Sequence, residues 1–151
     1  MNLSHSRTSL MRAAGATAVA TATLAAGLPG IAHAAPADPG DRTVSVTVKN
    51  HSSVRLNLDD AEVTEGEWTF DPPRSIKAFK VVRFGSISTD WEGGTEASVT
   101  FRTKYGNVEF YWSDPWQVDN DFTCETPDEL SCEIDSDLGP HAKVTFGIYE
   151  N

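Results

Sequence analysis

The residues with the most chemistry to offer are aromatic. Trp68, Trp91, Trp112 and Trp116, with Tyr105, Tyr111 and Tyr149, lie in a 151-residue chain. Tryptophan and tyrosine combine an apolar body with a polar tip, which suits a core, a protein interface or the headgroup layer of a bilayer. The stretch Val108-Glu109-Phe110-Tyr111-Trp112-Ser113-Asp114-Pro115-Trp116 concentrates them. It opens as a strand, with Val108, Phe110 and Trp112 alternating against Glu109 and Tyr111. Asp114-Pro115 then breaks the ladder, because proline donates no N–H, and Trp116 follows at once. Parity assigns Trp112 to a core, Tyr111 to the opposite face and Trp116 to a loop. Trp91, beside Gly93-Gly94, also falls in a turn-rich segment and is a candidate for a surface platform.

Catalytic patterns are missing from this chain. It contains no G-x-S-x-G elbow, no H-E-x-x-H helix and no glycine-rich phosphate loop. His51 lies in a turn and His141 just before the last strand, and the many carboxylates single out no acid–base pair. The expectation is a protein that is not an enzyme and needs no cofactor. Calcium is a weaker idea: Asp119-Asn120-Asp121 and Asp135-Ser136-Asp137 are rich in oxygen, yet neither completes an EF-hand loop, so no metal site is assigned.

The elements that would position these residues are strands. Residues 1–34 read as a signal peptide: Arg7 and Arg12 precede an alanine-rich run that is too short to span a bilayer, and Ala32-His33-Ala34 is a cleavage site. The mature protein is therefore expected to be secreted and extracellular. The leader carries two of the 12 Lys and Arg residues and none of the 22 acids, so its removal leaves a net charge of −12. Nucleic acid is excluded as a partner on that charge. In an exported chain Cys124 and Cys132 read as a disulfide closing a short loop.

Residues 35–42 have the composition of a disordered lead-in. From 43 onward Val44, Val46 and Val48, then Val54, Leu56 and Leu58, then Ala97, Val99 and Phe101, and finally Ala142, Val144, Phe146 and Ile148 alternate with polar residues. Gly85-Ser86-Ile87-Ser88 reads as loop, Lys104-Tyr105-Gly106-Asn107 as a hairpin turn, and Pro72-Pro73 as a sheet edge or a connection. No 3.6-residue period persists. Roughly seven or eight short strands over 43–151 predict a single all-β domain, an antiparallel β-sandwich or a closely related barrel.

The order of these signals resembles the aegerolysins, including their bacterial crystal-protein-like members. The resemblance rests on Val46-x-Val48-x-Asn50, Gly66-x-Trp68, Pro72-Pro73 with Ile76, Phe84-x-Ser86-x-Ser88, Gly94-Thr95-Glu96, Phe110-x-Trp112-x-x-Pro115 and Ala142-x-Val144-x-Phe146. It spans nearly all of 43–149 and implies an aegerolysin/actinoporin-like β-sandwich that recognises membrane lipids of the sphingolipid or sphingolipid/sterol type. Some members become cytolytic only with a larger pore-forming partner. The chain departs from the pattern at Ala97, where the family usually has Gly, and at Ser113-Asp114 and Gln117–Asn120, so the lipid itself is not implied.

Combined with the resemblance, the residues predict a lipid-binding surface of Trp91, Tyr111 and Trp116, extended to Trp68, with Glu96 and Asp114 orienting a polar headgroup. The net charge favours a zwitterionic or neutral headgroup. The alternative is a secreted carbohydrate- or protein-binding sandwich without membrane activity, its aromatics stacking on sugar rings or forming an interface.

Overall fold

The computed structural model describes residues 42–151. The expected leader over 1–34, and all of the lead-in except Arg42, lie outside the described residues. Ten strands follow in order: β1 (Thr43–Asn50), β2 (Leu56–Glu65), β3 (Glu67–Phe70), β4 (Ser75–Ile76), β5 (Val81–Ile87), β6 (Thr95–Arg102), β7 (Asn107–Asp114), β8 (Asp121–Glu125), β9 (Leu130–Asp137) and β10 (His141–Glu150). They form two five-stranded sheets, β3-β5-β1-β10-β9 (sheet A) and β4-β2-β6-β7-β8 (sheet B). The all-β sandwich expected from the alternation is what the chain forms.

Each inner face is the apolar set of its strands. Val44, Val46 and Val48 of β1 with Ala142, Val144, Phe146 and Ile148 of β10 are buried, and so are Ala97, Val99 and Phe101 of β6 with Val108, Phe110 and Trp112 of β7. Phe110 of sheet B meets Phe146 of sheet A with ring centroids 4.8 Å apart. Truncating either ring would cost about 3–5 kcal/mol. The hairpin from β6 to β7 forms where its turn residues predict, pairing Arg102 with Asn107 through Thr95 with Asp114.

Three expectations need correcting. The sheets are not wholly antiparallel, because β1 pairs with β10 in parallel, Thr43 opposite His141 through Asn50 opposite Ile148. A parallel pair needs a long crossover, here the rest of the domain, so no local turn announces it. Next, Gly85-Ser86-Ile87 is strand, not loop. Ser86 points inward, where its hydroxyl accepts the Trp112 indole N–H at 2.8 Å and the Thr95 hydroxyl at 2.7 Å. At Gly85 a Cβ would lie 2.3 Å from the Val44 carbonyl oxygen, so only glycine permits the approach of β1. Finally, Arg42 is not lead-in: its carbonyl accepts the Ser88 N–H at 2.8 Å, which joins it to the domain.

Cys124 and Cys132 form the disulfide. They lie on β8 and β9, the edge strands of opposite sheets, so the bond staples the two sheets along one open side.

Strand direction gathers the connections at two ends. The β2–β3, β5–β6, β7–β8 and β9–β10 connections, with Arg42, lie at one end; the β1–β2, β4–β5, β6–β7 and β8–β9 connections lie at the other.

Candidate functional site

The end that carries Arg42 is built on Asp114. As the last residue of β7 it shares parity with Val108, Phe110 and Trp112, so its side chain is driven inward and is 0% exposed. A carboxylate there needs a partner. Arg42 Nη1 donates to Asp114 Oδ1 at 2.7 Å, and Arg42 Nη2 donates to the Trp116 carbonyl oxygen at 2.7 Å. The guanidinium also lies 5.6 Å from the centroid of the Trp116 ring. One arginine thus ties the end of β7 to the loop that follows it. Asp114 Oδ2 and Arg42 Nε are buried and make no hydrogen bond within the described residues. Burial pushes the Asp114 carboxyl above its ordinary value, against the opposing pull of Arg42.

The neighbouring loops are locked in turn. In β5–β6 the Ser88 hydroxyl donates to the Asp90 carbonyl at 2.7 Å and accepts the Asp90 N–H at 3.2 Å, while the Gly94 N–H donates to Glu65 Oε1 at 2.6 Å. Gly94 presses against the chain at Asp114-Pro115, where a Cβ would sit 2.8 Å from Pro115 Cα. Asn120, at the end of the β7–β8 loop, accepts the Gly139 N–H at 3.0 Å and donates to its carbonyl at 3.3 Å, which links β7–β8 to β9–β10. These ties leave three large apolar side chains pointing out, one from each loop: Trp91 is 59% exposed, Val118 66% and Leu138 65%.

The six candidate residues separate by position. Trp91 stands exposed on its loop, and Trp116 lies half-buried under Arg42. Tyr111 and Glu96 are on the outer face of sheet B near the same end, where Glu96 Oε1 accepts the Thr64 hydroxyl at 3.0 Å. Burial pushes the Tyr111 phenol up, opposed by a hydrogen bond with Ser113 and helped by the Glu96 carboxylate. Trp68 is not on this surface: it packs edge-on against Trp112 at 5.8 Å and forms a wall of the core. Asp114 is likewise no surface group, because strand parity buries it. It acts on the site by holding Arg42.

Sequence reasoning missed Val118, Leu138 and Arg42. The first two are lone apolar residues within polar runs, Gln117-Val118-Asp119 and Asp137-Leu138-Gly139, a pattern that an exposed loop tip would give. Among the described residues no group of three or more His, Cys, Asp or Glu side chains is arranged to hold a metal ion. Asn120 is engaged with Gly139, while Asp135 and Asp137 project from β9 onto the outer face of sheet A.

No protein-family model matches the chain. An uncharacterized protein of Dictyostelium discoideum is 25% identical over 114 residues, which cover 74% of this chain and 10% of that protein. The chain thus spans about a tenth of that relative's length. The crystal structure of the lipid binding protein Nakanori superposes with a TM-score of 0.64 at 12% identity, covering 71% of this chain and 70% of that one. The likeness to Nakanori is one of fold.

Proposed function

We propose that this protein binds membrane lipids through the end that carries Trp91, Val118 and Leu138. The observation that carries the reading is that three large apolar side chains are held out on three loops at one end of the sandwich, with the β7–β8 loop packed against the first and hydrogen-bonded to the last. Such a patch loses water when it enters the interfacial layer of a bilayer, and tryptophan is the residue type best suited to that layer. The fold shared with a lipid binding protein supports the same reading.

Charge selects the surface. Asp90, Glu92, Asp119 and Asp137 flank the three apolar tips, in a chain of formal net charge −10 before any processing. An anionic bilayer would be repelled, so the headgroup is zwitterionic or neutral, of the sphingolipid or sphingolipid/sterol type that the aegerolysin-like motifs imply. The protein acts outside the cell in this reading, as a binding protein with no catalytic residue, and a larger pore-forming partner supplies any lysis. Among the described residues no helix is long and apolar enough to cross a membrane.

Co-sedimentation with vesicles tests this. Sphingomyelin and sphingomyelin/cholesterol vesicles are expected to pull the protein down and shift its tryptophan emission to the blue. Binding to anionic vesicles alone, or to none, would overturn it.

A further inference from the structure

The outer face of sheet A is a second surface with its own chemistry. Alternation turns Ser45, Thr47 and Lys49 of β1 outward, opposite the buried valines. Their neighbours follow from register. Ser45 lies beside Lys143 and then Asp137; Thr47 lies between Arg83 on one side and Thr145, then Asp135, on the other; Lys49 lies beside Gly147 and then Glu133. Ser45, Thr47 and Thr145 therefore make a floor of short side chains, with Arg83 on the β5 side, the three carboxylates on the β9 side, and Lys49 and Lys143 rising from the central strands. The result is a cavity of about 520 Å³ on the floor of Ser45, Thr47 and Thr145, with Phe70 at the β3 edge. A further cavity of about 230 Å³ shares Asp135 and Thr145 with it and reaches His51 and Tyr149. Those two rings stack at 4.7 Å and close that end. From Ser45 to His51 the trough runs about 20 Å, longer than a single sugar ring.

Its charges cancel locally. Lys49, Arg83 and Lys143 equal Glu133, Asp135 and Asp137 in number, and none of the six is in an ion pair; among the described residues the ion pairs are Arg42–Asp114 and Arg102–Asp59. The acceptors line up along β9 while the donors are spread over β5, β1 and β10, so strong donors and strong acceptors both surround hydroxyls that donate and accept. An anion would meet three carboxylates and a cation three cations. A ligand whose every polar group is at once donor and acceptor, and which carries no charge, suits both kinds of group. Sugar hydroxyls meet that description, and the exposed Phe70 ring offers a face to the C–H surface of a sugar. We propose that the outer face of β5, β1, β10 and β9 is a binding site for an uncharged oligosaccharide. It occupies the sheet face rather than the loop tips, although its Asp137 end adjoins Leu138, and it does not depend on lipid binding.

The full-length chain labelled with ¹⁵N tests this by titration with maltohexaose, cellohexaose, xylohexaose and chitohexaose. At least one should shift the amides of Ser45, Thr47, Lys143 and Thr145, with a Kd on the order of 0.1–1 mM. Thr47→Arg, which fills the floor from the solvent side, and Phe70→Ala should each weaken binding about tenfold or more. Asp135→Asn, which cannot disturb the core, should weaken it as well. Four results would overturn the proposal: no shift with any probe at about 10 mM; shifts confined to the loops of Trp91, Trp116 and Leu138; full binding by all three variants; or phosphocholine shifting the trough amides at lower concentration than the sugars, which would make it a zwitterion site.

Discussion

Arg42 and Asp114, 72 residues apart in sequence, meet at 2.7 Å where β7 ends. The same guanidinium holds the Trp116 carbonyl, so the pair couples a strand terminus to a loop of the candidate lipid site. Arg42→Ala would leave a buried carboxylate at pH 7 without its cation, at a cost of about 3–5 kcal/mol. Replacing both residues, Arg42→Met with Asp114→Leu, removes the charge as well as the partner and should cost much less. Urea unfolding midpoints of the two variants decide it; equal losses would mean that the unpaired charge is not the cause.

Acid should act on this pair with a definite sign. The Asp114 carboxyl sits above its ordinary value in the folded protein because it is buried, with Arg42 pulling the other way and Asn120 and His141 adding smaller downward pulls. A raised carboxyl means that the folded state binds more protons than the unfolded one between the two values. The contribution of Asp114 to stability therefore improves as pH falls through its folded value and is least above it. Glu150 runs the opposite way: held below its ordinary value by the Ser53 N–H and hydroxyl, it contributes stability above the unfolded value that is lost as pH falls through the lowered one. Protonating Asp114 also removes the charge that anchors Arg42 over Trp116. Tryptophan emission should thus change with a midpoint above the ordinary aspartate range, and Asp114→Asn should abolish that step. An unaltered titration in the variant would exclude Asp114.

The disulfide can be tested apart from the site. Cys124 and Cys132 are eight residues apart, yet they join edge strands of opposite sheets. Substituting both by serine should cost about 2–3 kcal/mol by loop entropy. Thermal unfolding should fall by roughly 10 °C or more. Amide exchange should rise at Phe122–Glu125 and Leu130–Ile134 first, while the amides beside Trp112 stay protected. Uniform loss of protection would show that the bond supports the whole core.

Much of the fold was legible because period-two alternation records burial directly. Val44, Val46 and Val48, Val108, Phe110 and Trp112, and Val144, Phe146 and Ile148 all face inward as their parity requires. What alternation cannot carry is partnership over long sequence distances. The parallel register of β1 on β10 leaves no local trace. Ser86 carries turn-like chemistry until Trp112 and Thr95 supply its hydrogen bonds. Arg42 resembles any residue of a polar lead-in until Asp114 is placed beneath it. The tryptophans show the same limit, since Trp68 and Trp91 both follow or precede glycine in turn-rich segments, and only the position of the Trp112 ring separates core from surface.

That separation yields the test that bears most directly on lipid binding. Trp68 is half-buried against Trp112, so Trp68→Ala should lower stability by about 2 kcal/mol or more and leave the affinity of the remaining folded protein for vesicles intact. Trp91→Ala and Leu138→Ala remove exposed side chains and should leave the unfolding midpoint within about 0.5 kcal/mol of the parent. Each should weaken binding to sphingomyelin/cholesterol vesicles by about tenfold, or about 1.4 kcal/mol, well within what burying such a side chain supplies. Trp116→Ala should fall between the two classes, because its ring is half-buried and sits under Arg42. Vesicle sedimentation set beside urea unfolding reads both axes for the same four proteins. If Trp91→Ala and Leu138→Ala bind like the parent while Trp68→Ala does not, the lipid contact is not at this end of the sandwich.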